Sequence, residues 1–515
     1  MVIFCCRGMS RHAPTVIIFF VLEDISKKLG QLFFVGFNGY TLSKETIKFF
    51  QAIQPGGIVL FEHNIETKNQ VRKLIKDINS LLDIKPFVAI DQEGGSVERL
   101  RKICTSLPSV WALGKVGLKE FLAAQEILVK ELSELGFNMN FAPVLDINSN
   151  PKNPIIGTRS ISNDPAIVSE YGRKAIELYL KFNIIPVAKH FPGHGDLNID
   201  SHLELPVLKK SKLELEKFEL IPFKQAIKAN VPAVMVGHIQ LPEIEDDLSK
   251  PASISKKIVQ GLLRDSLHFK GLAITDELNM KGITKNYSLV DASFEAVKSG
   301  IDMLLFNWNE KQTLKAHEDL FQKKLKDKNV QIRINESYKR IMSAKKRFLY
   351  KKKNHSFSSF NHTRIANQLG EKAIHWIKRD LFFVPLNKAE PVEIIHPVTV
   401  KLREEDLIKI CKELGFKKYN LTSYEINPGS SEIKNVLNKL KRKGRKVLIA
   451  YDVTIRTGQK SLINGILANY PELIVISVGL EYDIEVAPKV KYLMAAYAPN
   501  YISLLISFKK LLKNG

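Results

Sequence analysis

Short apolar runs alternate with amphipathic segments from residue 25 to about residue 345, and this alternation constrains the fold more than any other feature of the sequence. Strand–helix alternation over such a length predicts parallel strands joined by crossover helices. Eight apolar runs have the length and the bounding residues of buried strands, namely Leu32–Val35, Gly57–Phe61, Phe87–Ile90, Phe137–Pro143, Ile184–Lys189, Ala233–Gly237, Leu272–Thr275 and Asp302–Phe306. Helical patterns lie between them, in Lys44–Gln54, Lys68–Leu82, Lys119–Gly136, Asp164–Phe182, Glu214–Ala229, Ser255–Ser266 and Leu289–Ser299. We therefore predict an α/β fold of the (β/α)8 TIM-barrel type, with a doubly wound open sheet as the alternative.

Ionisable residues follow four of these runs. Asp91 follows the third run, Lys189 and His190 close the fifth, and His238 and Asp276 follow the sixth and seventh. In a barrel of this type the chemistry is carried by residues at the carboxyl ends of the strands. The sequence therefore predicts that these side chains meet at one end of the barrel.

The chain is long enough for a second domain. After the barrel a basic segment with Ser and Asn is typical of a linker, and strand–helix alternation then resumes. The predicted organisation is an N-terminal extension over 1–24, the barrel over 25–345, the linker over 346–370 and a smaller α/β sandwich domain over 371–515. The strand candidates of that last domain are Leu381–Pro385, Val392–Ile395, Lys446–Tyr451, Leu473–Val478 and Tyr492–Ala496.

The charge balance and the N-terminus bear on partners and location. The 515 residues carry a formal net charge of +23, but Lys and Arg are scattered, so we expect a solvated basic surface and no nucleic-acid partner. The four cysteines fit neither a disulfide framework nor a zinc site. The apolar run Thr15–Leu22 is too short to span a bilayer, and Glu23 and Asp24 stand where a signal peptide has small residues. We expect no membrane span and a cytoplasmic protein, with export through this run as the alternative.

The stretch Ile184–Pro206 is the densest in ionisable side chains. Its carboxylate and imidazole pair, Asp200 and His202, has a spacing that lets the Asp orient the ring for proton transfer. A solvent-exposed loop histidine is the alternative. Metal ligation by the His and Asp residues of this loop is another alternative, although the spacing matches no common metal motif.

Two carboxylates at strand ends have chemical interpretations. Asp276 could attack an anomeric carbon, because nucleophilic catalysis by a carboxylate divides glycosyl transfer into two easier steps; a helix cap is the alternative. Asp91 stands beside two glycines and could reach sugar hydroxyls, with Arg99 on the same loop; a helix cap and a surface ion pair are the alternatives. Lys189 could bind substrate or form a Schiff base.

Several long motifs occur in an order that resembles glycoside hydrolase family 3, and more narrowly its bacterial β-N-acetylglucosaminidases. The resemblance covers roughly residues 28–345. The motifs are Asp91–Gly95, Phe141–Asn148, Asn153–Ser160, Lys189–Asp196, Asp200–His202 with Leu205–Pro206, and Thr275–Asp276. One departure is Ser96, which stands where relatives usually carry an Arg.

The resemblance implies a role for each matching position. Asp276 would be the nucleophile that forms a covalent glycosyl-enzyme, and His202, paired with Asp200, would be the general acid/base. N-acetylglucosamine would be bound by a set of five side chains, Asp91, Arg99, Arg159, Lys189 and His190.

The resulting hypothesis is a retaining exo-β-N-acetylglucosaminidase that removes terminal N-acetylglucosamine (GlcNAc) from peptidoglycan-derived fragments, with a carbohydrate substrate and no cofactor or metal. The alternatives are a β-glucosidase or a glycoside phosphorylase of the same family, a metal-dependent hydrolase, and an inactive cell-wall sugar-binding protein.

Overall fold

The computed structural model describes residues 26–198, 204–307, 309–350, 361–441 and 443–513. Its first part is a ring of eight parallel strands in the order β8-β1-β2-β3-β4-β5-β6-β7. These strands are β1 Phe33–Val35, β2 Gly57–Leu60, β3 Phe87–Ile90, β4 Met139–Asn140, β5 Ile185–Phe191, β6 Ala233–Val236, β7 Leu272–Thr275 and β8 Leu304–Phe306. A parallel bridge between Ile274 and Met303 joins β7 to β8 and closes the ring. The predicted barrel is confirmed, and the open doubly wound sheet is wrong.

Helices surround the barrel because each presents an apolar stripe to it. In the helix Lys68–Leu81 the buried residues are Val71, Leu74, Ile75 and Ile78, which recur every three or four positions on one face. The other α-helices of this part whose two ends are described are Lys44–Ile53, Val110–Val116, Leu118–Leu135, Pro165–Lys181, Lys212–Lys217, Leu220–Lys228, Lys281–Thr284, Leu289–Ser299, Glu310–Lys326 and Lys328–Phe348, and Lys257–Ser266 is a π-helix. Three 3-10 helices, Glu62–Asn64, Gly157–Arg159 and Ala252–Ile254, lie in the loops.

A small antiparallel hairpin follows β3 and rises from the carboxyl end of the barrel. Its strands are Gln92–Gly94 and Val97–Glu98. The turn between them requires glycine, because Gly95 has a φ of +62° and an added Cβ would lie 2.6 Å from Cα of Ser109. This turn places Asp91, Glu93 and Arg99 around the barrel mouth.

The second domain is an open sheet of six strands in the order β9-β14-β13-β12-β10-β11, all parallel except β9. The strands are β9 His375–Arg379, β10 Val392–Val398, β11 Tyr419–Glu425, β12 Arg445–Ala450, β13 Ile474–Ser477 and β14 Tyr492–Ala495. The helices are His362–Ala373, Glu404–Leu414, Ser430–Lys439, Thr457–Asn469, Asp483–Val486 and Tyr501–Leu511. The strand predicted at Leu381–Pro385 is wrong: this run has no strand structure, and Leu381 is 99% exposed.

The two domains pack against each other through apolar and polar contacts. Trp111 and Ala112 of the barrel are buried with Leu480 and Tyr497 of the second domain. Asn500 donates to the Leu107 carbonyl at 2.7 Å. Residues 351–360, inside the predicted linker, lie outside the described residues, as does the N-terminal extension 1–24. In the part of the chain that is described, no helix is long and apolar enough to cross a bilayer.

Candidate active site

A cavity of about 800 Å³ opens at the carboxyl ends of the barrel strands. The six predicted site residues that are described all line it: Asp91, Arg99, Arg159, Lys189, His190 and Asp276. Asp200 and His202, the predicted acid/base pair, lie outside the described residues. The structure therefore brings together residues that are separated by as many as 185 positions in the sequence.

A buried ion-pair network forms the floor of this cavity. Lys189, near the carboxyl end of β5, donates to Oδ1 of Asp91 at 2.7 Å and lies 2.6 Å from Oε1 of Glu93. Arg159 donates to Glu93 through two nitrogens, at 2.8 and 2.9 Å. The side chains of Lys189 and Glu93 are each only 2% exposed. Because buried charges are costly without partners, each member of this network keeps the others in place.

The network also fixes the charge of its members. Burial disfavours the ionised form of Glu93, but the positive charges of Arg159 and Lys189 outweigh this effect of burial. They hold the pKa of the Glu93 carboxyl below its usual range. Burial likewise disfavours the charged Lys189, yet Asp91 and Glu93 raise its pKa above the usual value. A Schiff-base lysine needs a neutral amine, so the charged, ion-paired state of Lys189 argues against the Schiff-base interpretation.

A second buried carboxylate, Asp146, orients the ring of His190 and holds the backbone of His194 beside the floor. Its Oδ2 lies 2.6 Å from Nδ1 of His190, and its Oδ1 accepts from the backbone N–H of His194 at 2.7 Å. With Nδ1 of His190 bound to the carboxylate, Nε2 is the ring nitrogen left to meet a ligand. Burial and the neighbouring His190 lower the pKa of His194 to about 4, so this ring is neutral at pH 7.

Asp276 stands directly after β7 on a turn that both neighbouring strands hold. Its backbone N–H donates to the Val236 carbonyl at 2.9 Å, and Leu278 N–H donates to the Leu305 carbonyl at 3.0 Å. The Asp276 carboxylate accepts from Glu277 N–H at 2.8 Å. His238 donates from Nε2 to the Glu277 carbonyl at 2.8 Å, and this contact helps to hold the turn.

The alternative interpretations of the two strand-end carboxylates find no support in these contacts. The next helix after Asp276 begins at Lys281 with Met280 as its N-cap, so Asp276 caps no helix. Asp91 is followed by the hairpin instead of a helix. Arg99 has no carboxylate within 4 Å among the described residues; its guanidinium lies 5.9 Å from the centre of the Phe61 ring.

The loop after β5 is attached to the barrel at its described start. Asn153 donates to the His194 carbonyl at 2.7 Å, and Lys210 forms an ion pair with Asp196 at 2.8 Å. An added Cβ on Gly195 would lie 1.7 Å from the Ile147 carbonyl oxygen, so only glycine allows this approach. The part of the loop with Asp200 and His202 begins a few residues later.

Sequence reasoning missed several residues that line or support the cavity. Glu93 stands two positions after Asp91, and the two-residue period of extended chain was a signal that both share a face. Asp146 lay within a quoted motif without an assigned role. Lys401, Tyr451 and Arg456 line the same cavity from the second domain, and no sequence motif marks them. Ser96 lines it too and lies 3.2 Å from the Thr158 hydroxyl.

The described residues hold no group of three or more His, Cys, Asp or Glu side chains arranged for a metal ion. The charged groups of the floor instead pair with one another. Fixed carboxylates, cations and an oriented imidazole supply hydrogen-bond partners for a polyhydroxylated ligand, and Asp276 adds a carboxylate at the same strand ends.

Comparison with known proteins agrees with this arrangement. Residues 24–344 match the model of the glycosyl hydrolase family 3 N-terminal domain. Beta-hexosaminidase A of Pseudoalteromonas piscicida is 34% identical over 285 residues, 52% of this chain, although the match spans only 48% of that protein. Beta-hexosaminidase of Photobacterium profundum is 33% identical over 55% of this chain and 83% of its own length.

A solved structure resembles both domains together. It is a glycoside hydrolase family 3 beta-N-acetylglucosaminidase from Paenibacillus sp. str. FPU-7, with a TM-score of 0.85 and 31% identity. The likeness covers 95% of this chain and 96% of that chain. Together with the match over 24–344, it shows that the chain belongs to glycoside hydrolase family 3.

Proposed function

We propose that this protein is a retaining exo-β-N-acetylglucosaminidase that removes terminal GlcNAc. One observation carries the proposal: Asp276 lines the same cavity as the charged floor formed by Asp91, Glu93, Arg159 and Lys189. The similar relatives bear the name beta-hexosaminidase, which agrees with this substrate class.

The floor side chains would bind the sugar. The Asp91 carboxylate would accept hydrogen bonds from the sugar hydroxyls, and Nε2 of His190 would form another hydrogen bond with them. Lys189 and Arg159 would donate hydrogen bonds to the sugar oxygens. Because these groups already hold one another in place, little side-chain freedom is lost when the sugar binds. Arg99 would contact the sugar from the hairpin side.

Asp276 would be the nucleophile. Its carboxylate oxygen attacks the anomeric carbon, the bond to the leaving-group oxygen breaks, and the leaving group takes a proton from His202. Water then attacks the same carbon, gives a proton to His202 and releases Asp276, so the configuration is retained. Asp200 would orient His202. An imidazole can both give and accept a proton near pH 7, which is why one residue serves both steps.

The natural substrate would be a peptidoglycan-derived fragment that ends in GlcNAc. The cavity volume of about 800 Å³ accommodates one sugar and part of its leaving group. An enzyme that binds at a chain end needs such a cavity and no long open groove.

The first test compares wild type with Asp276→Ala on 4-nitrophenyl β-GlcNAc and on the corresponding β-glucoside. We expect turnover of the GlcNAc compound, insensitive to EDTA, and a loss of about 10⁴-fold or more in the variant. A folded wild type that turns over neither compound would contradict the proposal and favour a sugar-binding protein. Preference for the glucoside would favour a β-glucosidase.

A further inference from the structure

The crevice of the second domain opens onto the barrel cavity. Strand order in its sheet reverses between β10 and β12, and open α/β sheets bind ligands outside the carboxyl ends of strands at such a point. The loop after β10, with Thr399–Lys401, and the loop after β12, with Tyr451 and Arg456, both line the cavity. The second domain therefore forms the outer wall of the site.

Two cations of this wall are held on one aromatic ring. The Lys401 ammonium donates to the Tyr451 hydroxyl at 2.9 Å and lies 5.5 Å from the ring centre. The Arg456 guanidinium lies 5.4 Å from the same ring, and its Nε is buried without a hydrogen-bond partner. Within the described ranges, neither Lys401 nor Arg456 has a carboxylate within 4 Å. Burial raises the pKa of the adjacent Asp452. The positive charges of Arg456 and Lys401 lower it, but they only partly offset the effect of burial.

The barrel supports this wall. Arg101 pairs with Glu62 at 2.5 Å and donates to the carbonyls of Val400 and Lys401 at 3.4 and 3.3 Å, which fixes the loop that carries Lys401. Arg99 adds a third cation on the barrel side of the cavity.

The inner and outer halves of the cavity therefore differ in charge. On the floor, Lys189 and Arg159 are matched by Asp91 and Glu93 at hydrogen-bond distance. On the outer wall, Lys401 and Arg456 have no such partner among the residues described. A wall of fixed cations beside a neutral-sugar site favours an anion in the outer half.

We propose that Lys401 and Arg456 form a subsite for an oxyanion on the leaving-group side of the sugar. This inference rests on the proposed function, because the leaving-group side is defined by GlcNAc on the floor. Two sources supply this chemistry: a carboxylate carried by the second sugar of the substrate, or inorganic phosphate that takes the place of water.

The test measures binding and so does not depend on turnover. The protein is the full chain with Asp276→Asn, and titration calorimetry gives Kd for three ligands. The first is GlcNAc β-1,4-linked to an N-acetylhexosamine with a 3-O-carboxyalkyl ether, the second is the same disaccharide with the acid converted to its amide, and the third is inorganic phosphate.

We expect the acid to bind about tenfold tighter than the amide, since hydrogen bonds to charged groups contribute more than neutral ones. Adding Lys401→Met and Arg456→Gln together should bring the ratio of the two Kd values close to one. Each single substitution should remove part of the preference for the acid. Lys434→Met, which removes an exposed charge outside the cavity lining, is the matched control and should leave the ratio unchanged. Thermal melting verifies that every variant is folded.

The three ligands distinguish the two possible sources of the anion. Phosphate is the ligand if the acid and the amide bind equally, phosphate binds, and the double variant no longer binds phosphate. That result also supports the subsite. The inference is overturned if no ligand's Kd changes with Lys401 and Arg456. Failure of the proposed function has a different readout: the wild-type protein would release no GlcNAc in the chromogenic assay.

Discussion

The floor of the cavity depends on one side chain more than on any other. Glu93 accepts from Arg159 and pairs with Lys189, while Asp91 pairs with Lys189 alone among the residues that the structure describes. The strand-end positions of Asp91, Lys189 and Asp276 could be predicted from the sequence, because carboxyl ends of parallel strands meet at one edge. Glu93 was not predicted, because its importance comes from cations that lie far away in sequence and reach it only in the folded barrel.

Replacing this side chain should harm both stability and activity. In Glu93→Gln the neutral amide no longer supplies the negative charge that balances the buried cations of Arg159 and Lys189. We expect the free energy of unfolding to fall by about 3 kcal/mol. Displacement of the floor should lower kcat/KM for 4-nitrophenyl β-GlcNAc about 100-fold. Urea denaturation and steady-state kinetics measure the two effects.

The matched control is Glu245→Gln, which removes a buried carboxylate that accepts from the Ser255 hydroxyl and forms no ion pair in the described part of the chain. This change should cost less stability and leave kcat/KM within a few-fold of wild type. Equal effects of the two substitutions would contradict the role given to Glu93.

Among the elements, the strands of the barrel were predictable because they are short, apolar and buried on both faces. The second domain shows where this signal fails. β9 and β11 lie at the two edges of their sheet and carry polar, partly exposed residues, so neither has an apolar run. The run Leu381–Pro385 is apolar but largely exposed, and hydrophobicity alone made it resemble a strand.

The two ends of the barrel strands should differ in what they contribute. Asp302, two residues before β8, is fully buried and accepts from Arg264 at 2.5 Å, from Arg340 at 3.0 Å and from Ala273 N–H at 3.0 Å. These contacts join β8 to β7 and to the helix Lys328–Phe348 at the end opposite the cavity. Residues at that end of a barrel serve stability.

Asp302→Asn should therefore reduce stability without changing the chemistry. We expect the free energy of unfolding to fall by about 3 kcal/mol, because a buried charge loses its partner, while kcat per folded molecule stays within twofold. Asp77→Asn, which breaks an exposed pair with Lys73, is the control and should leave the urea midpoint unchanged. A large loss of kcat at unchanged stability would contradict this division of roles.

Contacts between the two domains complete the cavity. The barrel part of the site was foreseen, but the outer wall was not, because the orientation of the second domain depends on contacts such as Trp111 with Glu481 at 3.0 Å and Asn500 with Leu107. Such pairs join positions hundreds of residues apart and have no local pattern in the sequence.

A buried carboxyl near this interface should make stability depend on pH. Burial raises the pKa of Glu98 to about 7, although hydrogen bonds from Leu107 N–H and Ser106 oppose the rise. The folded protein therefore holds a proton that the unfolded chain releases near pH 4.5, so the free energy of unfolding falls as pH rises from about 4.5 to 7. The fall due to this group is on the order of 3 kcal/mol.

Glu98→Gln mimics the protonated acid and should remove this contribution. Urea denaturation at several values between pH 4.5 and 7.5 should give a shallower pH dependence for the variant than for wild type. Asp483, whose pKa burial also raises to about 7, retains its own contribution in both proteins, so the difference between them reports Glu98. Equal slopes would contradict the shift.

Trapping the covalent intermediate shows directly whether Asp276 is the nucleophile. Wild type is incubated with a fluorinated GlcNAc analogue that has a good leaving group, and the protein is examined by intact-mass and peptide mass spectrometry. We predict one added sugar on the peptide that contains Asp276, and no adduct in Asp276→Ala. An adduct on another residue, or full turnover of GlcNAc substrates by Asp276→Ala, would contradict it.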